Sequence, residues 1–147
     1  MGWKMVTRLA LICAGAAAIC GCATMPRMAY LNASPCHNTD ATLYFESGDD
    51  KVGDIGTQII ALTAGRLKAC HVRELRLVGL ADPTGAPQDN LDLSRRRAEN
   101  VLAAFQAAGL PIPKYTLVAQ GARGAESPSG VVAPVRRRVV ATVVATR

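Results

Sequence analysis

Two stretches with helical periodicity alternate with β-prone stretches across residues 41–146, and this alternation restricts the fold more than any other feature of the chain. Ala41 to Phe45 is β-prone and runs into the turn-rich segment Glu46 to Asp50. Ile55, Ile59 and Leu62 recur at helical spacing, which predicts an amphipathic helix over residues 55–70 with these side chains on its apolar stripe. Leu75 to Leu80 reads as a second strand, followed by the turn signal Asp82-Pro83-Thr84-Gly85. Asp89 or Asn90 is suited to cap the next helix, whose core stripe would be Ala98, Val101, Leu102, Phe105 and Ala108, with Gly109 as its stop before Pro111. Tyr115 to Gln120 reads as a third strand, Gly121 to Pro134 as a glycine- and proline-rich loop, and Val139 to Thr146 as a final strand rich in β-branched residues. The order β-α-β-α-β-β predicts a single α/β (α+β) domain of the two-layer sandwich type. No internal repeat or low-complexity tract interrupts it.

The first 22 residues carry a different signature. Lys4 and Arg8 precede an apolar run from Leu9 to Ile19, and small residues follow around Gly21. This is the layout of an export signal, and the run is too short for a bilayer span, which needs about 20 apolar residues. The signal ends in Ile19-Cys20-Gly21-Cys22, which resembles the bacterial lipobox, with Cys22 as the lipidated residue. The competing reading is an ordinary signal peptide cut near Ala23. Acylated glycerol and a palmitate-type chain on Cys22 would supply more than one acyl chain, as stable anchoring requires. Ala23, rather than an aspartate, follows the cysteine, which is consistent with release to the periplasmic face of the outer membrane. From Ala23 to Asp40 the sequence is irregular and reads as a tether, with an extended reach of about 60 Å.

Removing Lys4 and Arg8 takes the formal net charge from +6 to +4. A mildly basic exported domain suits an anionic polymer or lipid surface, and export argues against nucleic acid. Cys36 and Cys70 lie beyond the signal, and an even count in an oxidising compartment favours a disulfide. Both fall at the same end of the first strand–helix unit, as a bridge requires. Free thiols are the first alternative. A metal site is the second, because His37 and His71 follow the cysteines, but zinc ligands are usually spaced by two or more residues.

Residues Asn90 to Val101 read N-L-D-L-S-R-R-R-A-E-N-V, matching the pattern N-x-x-L-S-x-x-R-A-x-x-V. Here the chain resembles the OmpA C-terminal domain family, which includes the peptidoglycan-associated lipoproteins. Leu43 to Gly48 is similar to the family's opening strand, and Arg137-Arg138-Val139 to the start of its last strand. The resemblance spans about residues 41–146 and implies helices packed on one mixed sheet. It also implies that Asp82 and Arg97 bind the diaminopimelate of the wall's stem peptide, with Asn90, Thr84 and Arg137 as further contacts. The chemistry is coherent. Diaminopimelate presents an ammonium and a carboxylate at one end, and arginine engages a carboxylate through two parallel hydrogen bonds. On the residues alone, Asp82 also reads as a turn former, Arg95 to Arg97 as a solvated helix face, and Asp82 with Arg97 as a structural salt bridge.

The family's usual glycine-histidine-threonine-aspartate is Gly79-Leu80-Ala81-Asp82 in this chain. One lost hydroxyl contact at Ala81 would weaken binding by about 1 kcal/mol. The leading expectation is a non-catalytic tether between outer membrane and peptidoglycan that needs no cofactor or metal. The alternative is an interaction module of an envelope secretion or transport complex with weakened wall binding. Both histidines flank cysteines at the edge of the expected fold, and no serine or cysteine has a plausible catalytic histidine beside it in the domain, which argues against a hydrolase.

Overall fold

The computed structural model describes residues 36–123 and 136–147. The proposed signal over residues 1–22, the lipidation site Cys22, residues 23–35 of the tether and residues 124–134 of the long loop lie outside this set. Six elements follow one another: β1 (Thr39–Tyr44), α1 (Asp54–Leu67), β2 (His71–Gly79), α2 (Pro87–Ala107), β3 (Tyr115–Ala119) and β4 (Arg138–Thr146). The strands form one sheet in the order β1-β4-β2-β3. β4 runs antiparallel to both β1 and β2, while β3 lies parallel to β2, so the sheet is mixed. Both helices pack on it, α1 against β1 and α2 against β2, β3 and β4. This is the expected two-layer sandwich.

The strand patterns explain why the helices cover one face. Along β4, Val139, Ala141, Val143 and Ala145 are buried, and the residues between them are half-buried. Side chains alternate across a strand, so the first set faces the helices and the second faces outward. β2 would fall out of phase with β4 were it regular. Val72 pairs with Ala145 and Glu74 with Val144, leaving Arg73 as the extra residue of a bulge. The bulge lets Val72, Leu75 and Leu77 all point into the core.

Two helix expectations need correction. In α1 the buried residues are Ile60, Thr63, Ala64 and Leu67, whereas Ile55 and Leu62 are 75% and 64% exposed. The expected stripe is therefore the outward one, with only Ile59 partly buried against the core. α2 starts three residues before Asn90, with Pro87 in its first turn and Ala86 as an N-cap that makes no side-chain bond. Proline suits that place because its missing N–H has no intrahelical partner to lose. Ala98, Val101 and Phe105 are buried as expected, but Leu102 is half-buried and Ala108 is exposed.

Two further features fix the domain. A Cβ on Gly79 would collide with the Ser94 carbonyl oxygen, so β2 approaches α2 at backbone contact. Gly79→Ala should cost toward the upper end of about 1–3 kcal/mol, because the obstacle is backbone and cannot rotate away. A urea midpoint unchanged from wild type would contradict that packing. Cys36 and Cys70 form a disulfide with a Cα–Cα distance of 5.3 Å.

Candidate functional site

The inward face of α2 begins polar. Asn90, Ser94 and Arg97 share the helical stripe of Val101 and Phe105, and all five are buried. The apolar half meets the sheet, and the polar half meets the backbone of loops that would otherwise lack partners. The Ser94 hydroxyl donates to the Leu91 carbonyl at 2.8 Å and accepts from the Gly121 N–H at 3.0 Å. Gly121 in turn accepts from the Ala81 N–H at 2.8 Å. Its φ of +56° and its close approach to Leu91 both favour glycine. One serine thereby joins the ends of β2 and β3 to the helix.

Arg97 has no exposed surface at all. Its Nε donates to the Asp49 carbonyl at 2.8 Å, Nη2 to the Glu46 carbonyl at 3.0 Å, and Nη1 to the Leu80 carbonyl at 3.2 Å. The guanidinium also lies 5.0 Å from the centre of the Phe45 ring, within the range of a cation–π contact. Burial pushes its pKa below the ordinary arginine value, opposed chiefly by the nearby negative charge of Asp82. On either side, Arg96 pairs with the Asp50 carboxylate at 2.8 Å, and Asn100 donates to the Asp50 carbonyl at 2.9 Å. α2 thus holds the β1–α1 loop through three side chains.

Asp82 closes the end of β2, and its carboxylate pairs with Nη1 of Arg137 at 3.3 Å. Both side chains are largely sheltered. Arg137 also donates from Nε to the Phe45 carbonyl at 3.2 Å, which fixes it between β1 and the Asp82 turn. Beyond the turn, a cavity of about 430 Å³ opens between Pro83, Gly85, the first turns of α2 and the segment 120–123. Asn90, Gln120 and Arg123 line it.

The structure therefore pairs Asp82 with Arg137 and sets Arg97 beneath them, bonded to three backbone carbonyls. Asn90 stands in the cavity wall, within the helix rather than at its cap. Thr84 is exposed on the turn. Leu80 and Ala81 are buried, so the residues in place of the usual histidine and threonine contribute packing. Sequence reasoning missed Ser94 and Gly121 as the stitching between segments. The signal was present, since Asn90, Ser94 and Arg97 continue the stripe of Val101 and Phe105 toward the N-terminus. Among the described residues, no group of three or more His, Cys, Asp or Glu side chains is placed to hold a metal ion. The bridged cysteines leave no thiolate beside His37 or His71 for one.

Two helices packed on one face of a mixed four-stranded sheet are the fold of an OmpA-like domain. The OmpA family model matches residues 44–134, and the chain belongs to that family. The OmpA-like domain of FopA1 from Francisella tularensis is similar in fold, with a TM-score of 0.62 and 18% identity over 75% of this chain and 77% of that one. The peptidoglycan-associated lipoprotein of Burkholderia pseudomallei gives a TM-score of 0.55 and 22% identity, covering 71% of this chain and 89% of that one. The C-terminal domain of Helicobacter pylori MotB gives 0.57 and 16%, covering 73% and 85%. No curated protein matches the chain in sequence. Among the described residues, no helix is long and apolar enough to cross a membrane.

Proposed function

We propose that this domain binds the stem peptide of peptidoglycan, without catalysis, at the end of β2. The Asp82–Arg137 pair is the observation that carries the reading. Diaminopimelate ends in an ammonium and a carboxylate, the mirror image of that pair. Its ammonium exchanges for Arg137 at Asp82, and its carboxylate takes the released guanidinium, so one ion pair becomes two. Arg97 supplies a second positive charge from beneath while it holds the surrounding loops. Asn90, the Thr84 hydroxyl and the N-terminal N–H groups of α2 add hydrogen-bonding capacity, and the adjoining cavity takes the rest of the peptide. Lipid on Cys22 would anchor the chain in the outer membrane, so that one molecule joins membrane to wall.

Sedimentation of the full chain with purified sacculi tests the site. Asp82→Asn and Arg137→Gln should each weaken binding by at least about tenfold, equivalent to about 1.4 kcal/mol. Thermal unfolding of the same variants checks that the fold is kept. If wild type and both variants sediment equally, the site is misassigned. The second reading, an envelope-complex module with little wall affinity, draws on the buried Leu80 and Ala81 beside Asp82. It predicts that the wild-type chain ignores sacculi and co-purifies with an envelope protein.

A further inference from the structure

Between Asp54 and Arg66, α1 carries no charged residue. A helix that covers a core ordinarily keeps its outer face polar. Here that face presents Ile55, Ile59 and Leu62, with Gln58, Ala61 and Gly65 beside them. Ile55 is 75% and Leu62 64% exposed, and Tyr44, 60% exposed, extends the apolar surface beyond the helix. A groove of about 500 Å³ opens between the N-terminal half of α1 and the β1–α1 loop, lined by Tyr44, Phe45, Ile55 and Ile59 among others. The steps of four and then three residues from Ile55 through Ile59 to Leu62 are those of a helix-pairing seam, and a further step of four reaches Arg66.

We infer that the outward seam of α1 pairs with the same seam of a second copy of this chain, the two helices running antiparallel about a two-fold axis. Charge selects this occupant and direction. Asp54 lies in the first turn of α1 and Arg66 in its last. Antiparallel pairing with Ile59 opposite the second copy's Leu62 sets each Asp54 beside the other copy's Arg66. Parallel pairing would set like charges together at both ends. A membrane is a poorer occupant, because interfacial helices carry basic residues along their polar flank. This groove instead has Glu46, Asp49 and Asp54 at its rim against Lys51 alone. Self-pairing of one patch is the commonest form of homo-oligomer contact.

Gln58 is exposed and flanks the seam, within about 60° of Ile55 and Leu62 around the helix. Gln58→Cys in the full chain, treated in the envelope of a producing cell with a short bismaleimide, should give a covalent dimer of twice the chain mass. Gln106→Cys, at an exposed position on α2, should not. Adding Leu62→Glu to the Gln58→Cys chain should reduce the cross-linked product at least about tenfold, and the high exposure of Leu62 means the fold tolerates the change. Adding Asp54→Arg or Arg66→Asp alone should reduce the product severalfold, and the two together should restore it. Failure of the Gln58→Cys chain to cross-link, a product insensitive to Leu62→Glu, or absence of charge-swap rescue would each overturn the inference. So would a product whose mass includes a different protein.

Discussion

Arg97→Met should destabilise the domain by about 3–5 kcal/mol, the largest effect expected of any single substitution. The methylene stem would still be filled, so the loss reports the guanidinium. Three buried carbonyls, those of Glu46, Asp49 and Leu80, would lose their donor together. Asp82 would also lose its cation from beneath. Lysine should recover only part of this, because one ammonium cannot reach along three directions in a plane. The change is read as a urea midpoint and as a thermal midpoint lower by more than about 10 °C. A loss below about 1 kcal/mol would mean that Arg97 does not clamp the β1–α1 loop. Any fall in sacculus binding by this variant must be compared with its stability, which is why Asp82 and Arg137 are the better probes of the ligand site.

The second large effect belongs to the Cys36–Cys70 bridge, which spans a sequence separation of 34 residues. Closing a loop of that size restricts the unfolded chain by about 3–4 kcal/mol on the entropy model. Reduction of the wild-type protein should lower its stability by this amount, a large share of the roughly 5–15 kcal/mol typical of such domains. Paired Cys36→Ser and Cys70→Ser substitutions should give the same midpoint with or without reductant. Unfolding curves of the wild type that coincide in oxidising and reducing buffer would exclude the effect.

Element order and the sandwich were legible because most strands and helices have their own period, and glycine or proline marks most of the turns between them. The phase of α1 was not. Ile55, Ile59 and Leu62 form one helical stripe, and Ile60, Ala64 and Leu67 form another, so periodicity names both and only the contact with β1 and α2 selects the second. The start of β2 was hidden by the bulge at Arg73, which breaks the alternation that marks a strand. The start of α2 was misplaced because capping chemistry pointed to Asp89 or Asn90, while the helix begins at proline without a side-chain cap. At the site, the motif brought Arg97 into view, and the family resemblance brought Asp82 and Arg137. The depth of Arg97 was legible only as its place on the stripe of Val101 and Phe105. An arginine within Arg95 to Arg97 has the pattern of a solvated face, and two of the carbonyls that bury it, those of Glu46 and Asp49, lie far upstream in the chain.

The disulfide has a mechanical consequence as well. Pulling on the chain from the side of residues 1–35 delivers force to the domain at Cys36, three residues before β1. β1 is an edge strand, held by β4 alone, and an edge strand drawn from its end peels one hydrogen bond at a time. The bridge diverts that force to Cys70, one residue before β2, which is hydrogen-bonded on both sides. Load then falls on the centre of the sheet, and the edge strand is bypassed. Under tension applied from that side, the domain would hold its shape for as long as that bond stays oxidised.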